Sequence, residues 1–309
     1  MTKVSIIIVT YKSYDYLKSC LSSITGNYEI IVYDNCPQKN NIKKLFPKVK
    51  YISDPTNPGY AAANNNAAKI ATGDYLFLLN PDTKILPSTI PSLLKTAKPN
   101  QISACQIQNY SGQKTHHCGI GVDIFGFPVN NGKIFYAEGS ALFISKNLFN
   151  KLGGFDNRYF MFHEDIDLCW RAWLSGAKVI CQPQAKICHA IGSTSGGTTP
   201  SKKQPYRTTL LRRYYAERNN ICTLLKNYQP FTLLFILPIY LLINLFEIIF
   251  LPKLFLYYLK AYAWNIINLP QTLRLRQNRQ ISDFAIFKKM SFIPGKLINL
   301  LKLGLPKIK

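Results

Sequence analysis

Seven residues near the start, Val4 to Thr10, form an unbroken β-rich apolar run. A run of this kind reads as a strand covered on both faces. Leu17, Leu21 and Ile24 follow at helical spacing. Residues 29–35 and 49–53 read as second and third strands, 61–71 as a small-residue helix, and 75–80 as a fourth strand ended by Pro81. Strands alternating with helices predict an α/β fold with a mainly parallel sheet sandwiched by helices. Ligands in such sheets lie outside the carboxyl ends of the strands. Thr10-Tyr11, Asp34-Asn35 and Asn80-Pro81-Asp82 therefore converge on one predicted crevice. Residues 110–136 are Gly-rich and weakly periodic, and read as a long loop. A strand over 136–145, a helix over 162–177 and two short strands in KVICQP and AKICHA come next, then a Gly/Ser/Thr-rich loop over 191–203.

From residue 224 the pattern changes. Of the 21 residues from Phe231 to Leu251, only Thr232, Pro238, Asn244 and Glu247 are not apolar. A helix of this length reaches roughly 30 Å, the thickness of a bilayer core. A second stretch, Leu254 to Leu269, carries Lys260. Basic residues flank both sides: Arg212, Arg213, Arg218 and Lys226 before, Lys253, Arg274, Arg276 and Arg279 after. Positive flanks at both ends place both on the cytoplasmic side. Spanning, in-plane or re-entrant, and soluble packing remain the three readings, with the in-plane or re-entrant one preferred. The predicted division is 1–222 for the α/β domain and 223–309 for a basic, apolar and amphipathic helical membrane-associating region.

Composition sharpens this. Net charge is +23, with 47% hydrophobic and 17% charged residues among 309. Residues 201–309 hold eighteen of the 38 Lys and Arg but only three acids, Glu217, Glu247 and Asp283. Such a balance fits anionic lipid or phosphate-bearing substrates. Interleaving with long aliphatic runs argues against nucleic acid as the partner. The eight cysteines lack CxxC spacing, so they read as reduced buried thiols, Cys169 and Cys181 among them, of a cytosolic protein with no zinc site. The apolar run after Lys3 is too short for a secretory signal and reads as the first strand. No dinucleotide GxGxxG, no P-loop and no GxSxG elbow occurs.

Several residue groups carry candidate chemistry, each with a plainer alternative. Asp82 suits a divalent metal on a diphosphate, or a turn. Asp34 suits a ribose or base, or an Asx turn. NPGYAAANN (57–65) places Gly59 before a helix start, as an anion site or as tight packing. His163, Glu164, Asp165 and Asp167 form the densest acid cluster, either complementing a helix dipole or holding a general base under aromatic residues. His189 is a metal ligand or a structural histidine. His116 and His117 read as solvent-exposed loop residues.

Together, VSIIIVTYKS, IVYDN, NPGYAAANN, GDYLFLLNPDT, EGSALFIS, GGFDNRYFMFHEDIDLCWRAWLSGAKV and CHAIGSTSG resemble the inverting family 2 glycosyltransferases of GT-A fold, in family order over residues 3–222. NPDT beside HEDIDLCWR resembles the rhamnosyltransferase-type subgroup. The resemblance implies that Thr10, Tyr11, Asp34 and Asn35 hold the nucleoside of a sugar nucleotide. It implies that Asn57, Gly59, Tyr60 and Asn65 line the nucleotide and diphosphate. Asp82 and His189 would bind Mn²⁺ or Mg²⁺, with Asn80 standing where the family has another acid. Asp165 would be the catalytic base and Glu164 would orient the acceptor. Trp170, Arg171, Ser193 and Thr194 would close over the donor. The implied activity is metal-dependent inverting transfer to a cell-surface glycan or lipid-linked saccharide at the cytoplasmic face of the cell membrane. The leading donor is dTDP-rhamnose, with UDP-galactofuranose or a UDP-hexose as alternatives. The rival from another class is a catalytically silent nucleotide-sugar-binding membrane scaffold.

Overall fold

All seven residues of β1 (Val4–Thr10) are buried, as a strand covered on both faces requires. The computed structural model describes residues 3–190, 207–304 and 307–308. After β1 come α1 (Tyr14–Ser23), β2 (Glu29–Asp34), α2 (Ile42–Leu45), β3 (Lys50–Ser53), α3 (Gly59–Ile70) and β4 (Tyr75–Leu79). β3, β2, β1 and β4 lie side by side and run parallel. Thr10 pairs with Asp34, and Ile8 with Leu79. The three strand ends singled out from sequence therefore emerge at one edge. Alternate residues feed two cores. Ile7, Val9, Leu76 and Leu78 pack with Ala61, Ala67 and Trp170 on one face; Ile6, Ile8, Phe77 and Leu79 pack with Leu17, Leu21 and Leu93 on the other.

Beyond β4 the chain adds β5 (Thr83–Ile85), α4 (Thr89–Thr96), β6 (Gln101–Asn109), β7 (Thr115–Cys118), β8 (Gly121–Val122), β9 (Pro128–Val129), β10 (Ala141–Ser145), α5 (Lys146–Lys151), α6 (Glu164–Leu174), β11 (Lys178–His189) and β12 (Arg207–Thr208). This half of the sheet is mixed. β10 runs antiparallel between β4 and β6, β11 runs parallel to β6, and β5 closes the edge antiparallel to β11. The expected loop over 110–136 contains β7, β8 and β9, which are too short to leave a period in the sequence. The two short strands expected over 178–190 are one strand with a register shift between Gln182 and Lys186. Pro183 lies there and has no N–H to donate to a ladder.

The cysteine expectation needs correction as well. Cys118 and Cys181 form a disulfide, with Cα atoms 5.4 Å apart. They are 63 residues apart in sequence, and only the sheet brings β7 and β11 together. Spacing alone could not reveal the pair.

The C-terminal third is helical. α7 (Leu210–Asn227) packs against α6 and leads to α8 (Pro230–Phe250), a 3₁₀ turn (Pro252–Leu254), α9 (Phe255–Ile267), α10 (Leu269–Arg274), α11 (Asp283–Phe287) and α12 (Gly295–Leu303), with β13 (Lys307–Ile308) pairing with β12. α9 packs along α7. The 222/223 division falls inside α7.

Candidate active site

The exits of β1 and β2 are stitched together by a hydrogen bond from Asn35 N–H to the Thr10 carbonyl, 2.9 Å. Asp34 is fully buried. The Tyr14 hydroxyl donates to its Oδ2 at 2.8 Å, the Tyr51 hydroxyl donates to the same oxygen, and Cys36 N–H donates to Oδ1 at 3.0 Å. Asp34 thus shapes the exit of β2. Polar atoms still open to a ligand at this corner are Thr10 Oγ1 and Asn35 Oδ1, both buried without a hydrogen-bond partner, beside the exposed ring of Tyr11.

The turn into α3 is unusual in its backbone. Asn57 has φ of 48° and Gly59 has φ of 87°. A Cβ on Gly59 would meet the Phe160 carbonyl oxygen at 2.5 Å. The glycine is needed there for close approach of the 155–163 segment. Tyr60 N–H donates to that carbonyl at 2.8 Å, and the Tyr60 hydroxyl donates to the Gly139 carbonyl at 2.6 Å. So part of the α3 N-terminus holds protein, not an anion.

Asp82 follows β4, and His189 ends β11. β5 pairs with β11, setting Thr83 opposite His189. Asp82 Oδ1 lies 3.2 Å from His189 Nε2, and both side chains are buried. One carboxylate oxygen and one imidazole nitrogen are donors that suit a divalent ion such as Mn²⁺. His189 Nδ1 is buried without a hydrogen-bond partner. Among the described residues no third His, Cys, Asp or Glu completes a cluster. A metal held here would therefore take its other ligands from diphosphate oxygens and water, as such ions commonly do. Asn80 sits at the same turn, donating its N–H to the Ser140 carbonyl at 3.0 Å.

Glu164 and Asp165 open α6, preceded by two non-glycine residues in the left-handed region: Phe162 with φ of 70° and His163 with φ of 67°. Such backbone persists only where surroundings impose it, and it concentrates at functional sites. Here Asn219 of α7 imposes it, donating from Nδ2 to the carbonyls of Met161 and Phe162, each at 2.8 Å. Asp165 is half-buried. Its Oδ2 accepts from Gly139 N–H at 2.9 Å, and its Oδ1 accepts from Ile166 N–H at 2.8 Å. Burial raises its pKa; the two N–H bonds pull it down, but the charge of Glu138 adds to the rise, and the net shift is upward. Burial and the Asp165 charge raise Glu164 as well. Glu164 Oε2 is buried with no partner. The two N–H bonds stabilise the anion at Asp165, so Glu164 is the member that keeps a proton. Asn219→Ala is expected to lower kcat by about tenfold at little change in KM, because it frees the turn that aims Asp165. Unchanged kcat in a folded variant would remove Asn219 from the account.

The segment Glu138-Gly139-Ser140 joins the two halves. Ser140 is bonded to Asn80, Gly139 to Asp165, and Glu138 faces His117 at 3.5 Å. His117, expected in an exposed loop, is half-buried on β7. Sequence reasoning assigned no role to Glu138, Ser140 or Asn219; the EGS triplet just before an apolar strand was the available signal for the first two. A shallow groove of about 570 Å³, lined by Gly73, Asp74, Tyr75 and Ser145, lies at the opposite edge of the sheet and holds none of these groups.

A family model described as Glycosyl transferase family 2 matches residues 5–166, over half of the chain. The chain belongs to glycosyl transferase family 2. A model described as Glycosyl transferase family group 2 matches residues 119–267. The low-salt glycan biosynthesis hexosyltransferase Agl10 of Haloferax volcanii is 28% identical over 187 residues, covering 54% of this chain and 61% of that protein. The chain thus spans less than two thirds of that relative's length. Rhamnosyltransferase WbbL of Escherichia coli K12 is 27% identical over 219 residues, covering 60% and 83%. Mannosyltransferase PcManGT from Pyrobaculum calidifontis, solved with GDP-Man and Mn²⁺, superposes with a TM-score of 0.52 at 14% identity, over 89% of this chain and 73% of that one. This likeness is one of fold, and the fold is GT-A.

Within this family 2 chain, three residues expected at the donor lie elsewhere. Trp170 is fully buried, edge-on to Phe135 at 5.4 Å and to Tyr228 at 4.8 Å. Its position on α6 faces the core. Arg171 is also buried, donating from Nε to Asp167 at 2.9 Å, from Nη2 to the Gly154 carbonyl at 2.8 Å, and to the Leu152 carbonyl. A cation so fully engaged cannot close over a diphosphate. Asn65 clamps the 155–157 segment: it donates to the Phe155 carbonyl at 2.8 Å and to Asn157 at 2.6 Å, and accepts from Phe155 N–H at 2.9 Å. Ser193 and Thr194 lie outside the described residues.

Proposed function

We propose that this family 2 protein transfers a sugar from a nucleotide-sugar donor to an acceptor hydroxyl, with inversion at the anomeric carbon. The observation that carries the reading is Asp165: a carboxylate of raised proton affinity, aimed by a constrained turn and tied through Gly139 to the segment that reaches the Asp82–His189 corner. Thr10, Tyr11 and Asn35 receive the nucleoside. Asp82 and His189 would hold Mn²⁺ or Mg²⁺, which supplies positive charge on the diphosphate as the leaving group departs. Asp165 takes the proton of the acceptor hydroxyl as that oxygen attacks from the face opposite the diphosphate. Protonated Glu164 beside it orients the acceptor by hydrogen bonding.

The named rhamnosyltransferase relative supports dTDP-rhamnose as the first donor to test, ahead of UDP-galactofuranose or a UDP-hexose. For the acceptor, the C-terminal helices support a lipid-linked saccharide at the cytoplasmic membrane face. The most apolar 18 residues of α8 have a mean hydropathy of 2.4, and only 17% of them are buried. Phe231, Leu234, Leu242 and Ile249 are open on one side, as are Leu256, Ile266 and Ile267 of α9. The other side of α8 is polar and tied to the body: Tyr240 donates to Glu217 at 2.6 Å, Asn244 donates to the same carboxylate, and Glu247 accepts from Lys296 at 2.8 Å. α8 is long and apolar enough to cross a bilayer; its polar inner side and the basic flanks at both ends support an in-plane or re-entrant seat instead.

The test is to incubate the protein with dTDP-L-rhamnose, UDP-galactofuranose or UDP-glucose, Mn²⁺ and a polyprenyl-diphosphate-linked saccharide, and to read the anomeric configuration of the product by NMR. Inversion is expected. A product of retained configuration would overturn the single-displacement reading.

A further inference from the structure

Glu138 is the acid of this site that neither the metal corner nor the base employs. Its Oε2 accepts from Ser140 Oγ at 3.1 Å and faces His117 Nε2 at 3.5 Å. Its side chain is 33% exposed, so it is open to a ligand, while that of His117 is 19% exposed. With Nε2 turned toward a carboxylate and carrying the proton, His117 presents Nδ1 as an acceptor. That atom is buried with no hydrogen-bond partner, an arrangement that a ligand hydroxyl would complete. Glu138 is followed by Gly139, whose N–H binds Asp165 at 2.9 Å, and by Ser140, whose carbonyl accepts from Asn80 N–H at 3.0 Å two residues before Asp82. The carboxylate thus lies between the group next to the leaving diphosphate and the group next to the attacking hydroxyl. In the reaction proposed above, the sugar being transferred occupies that interval.

We infer that the His117–Glu138 pair is the recognition element for the donor's sugar ring, the carboxylate accepting hydrogen bonds from ring hydroxyls and the imidazole fixing its direction. The inference rests on the donor-site reading and deepens it by naming the sugar class. Two ionised acids, Glu138 and Asp165, flank this interval with protonated Glu164 beside them, so the sugar is neutral and carries free hydroxyls. A hexuronate would bring a further carboxylate against them, where like charges repel. No covalent step is involved; the pair is a specificity element that touches the sugar and leaves the diphosphate alone.

The test compares affinities by calorimetry in Mn²⁺, using dTDP-L-rhamnose, UDP-glucose and GDP-mannose, each beside its sugar-free nucleoside diphosphate. For the nucleotide sugar that the wild type binds, Glu138→Ala is expected to weaken binding about tenfold or more, as loss of hydrogen bonds to a charged group does. Glu138→Gln, which keeps an acceptor oxygen, weakens it less. Binding of the matching diphosphate stays within about twofold in both variants, which also reports that they are folded. Equal weakening of sugar nucleotide and diphosphate, or no weakening of either, overturns the inference and leaves the donor site standing. A wild type that is folded and binds none of the six ligands overturns the donor site and this inference with it.

Discussion

Replacing Asp165 by Asn is expected to cut sugar transfer by about 10²–10⁴-fold, the usual worth of a positioned general base. Nucleotide affinity should hold, because Asp165 contacts Gly139 and Ile166 rather than the Asp82–His189 corner. The amide keeps the carboxylate's shape and one acceptor oxygen, so one of the two N–H bonds, from Gly139 or Ile166, is kept and the other is lost; a circular-dichroism melt of the variant checks that the fold survives. The pH profile carries the same signature. A base works only when deprotonated, and burial together with Glu138 raises the Asp165 pKa above the ordinary aspartate range. Activity should therefore fall on the acid side through a limb lying above that range. A profile flat down to ordinary carboxylate values would place the base elsewhere.

Asp167→Ala is expected to cost about 3–5 kcal/mol, the loss seen when one partner of a buried ion pair is removed. Domains are typically stable by about 5–15 kcal/mol, so the variant should melt far lower or fail to accumulate. Asp167 is fully buried and accepts from Arg171 Nε at 2.9 Å and Asn227 Nδ2 at 3.0 Å, with Lys226 Nζ 3.0 Å away. Lys226 also reaches Asp156 at 2.7 Å, and Asp156 pairs with Arg158 at 2.6 Å. Burial alone would raise both carboxylates, but the surrounding cations outweigh it and hold both below their ordinary values. Groups with depressed folded pKa values give stability that is present above the unfolded-chain carboxylate pKa and lost as pH falls through the folded values. Acid unfolding should therefore sharpen below the ordinary carboxylate range. Chemical denaturation of wild type and variant at neutral pH measures the difference directly; a change under about 1 kcal/mol would contradict the network.

The acids of the HEDID run thus divide their labour, and the sequence could not say how. Position within the run was plain, and so was the likeness to family 2. Which acid ionises depends on Gly139, which bonds Asp165, and on Arg171 and Lys226, which neutralise Asp167. Arg171 is one helical turn from Asp167, but Gly139 and Lys226 are distant in sequence and meet these acids only in the fold. The strands β1 to β4 were legible because each is a continuous apolar run closed by turn residues, a signal that needs no tertiary context. Trp170 and Arg171 misled because a motif records which residues recur together, while burial on α6 decides which side they face. His117 reads as an exposed loop residue because β7 is four residues long and its pairing with β6 cannot be seen in periodicity, and its approach to Glu138, 21 residues on, is equally invisible in the sequence. The C-terminal helices were readable as apolar. The polar inner side of α8 became visible only with Glu217 and Lys296 in place.

The central claim is that the crevice over β1, β2, β4 and β11 binds a nucleotide through a divalent metal held by Asp82 and His189. Calorimetric titration of detergent-solubilised protein with UDP, dTDP and GDP, each with Mn²⁺ and with EDTA, tests it most directly, with Asp82→Ala as the control. The account predicts that one nucleotide binds in Mn²⁺, that EDTA weakens it at least tenfold, and that the Asp82→Ala variant behaves in Mn²⁺ as the wild type does in EDTA. Binding of equal strength in Mn²⁺ and EDTA, or no binding of any of the three by folded protein, would contradict it.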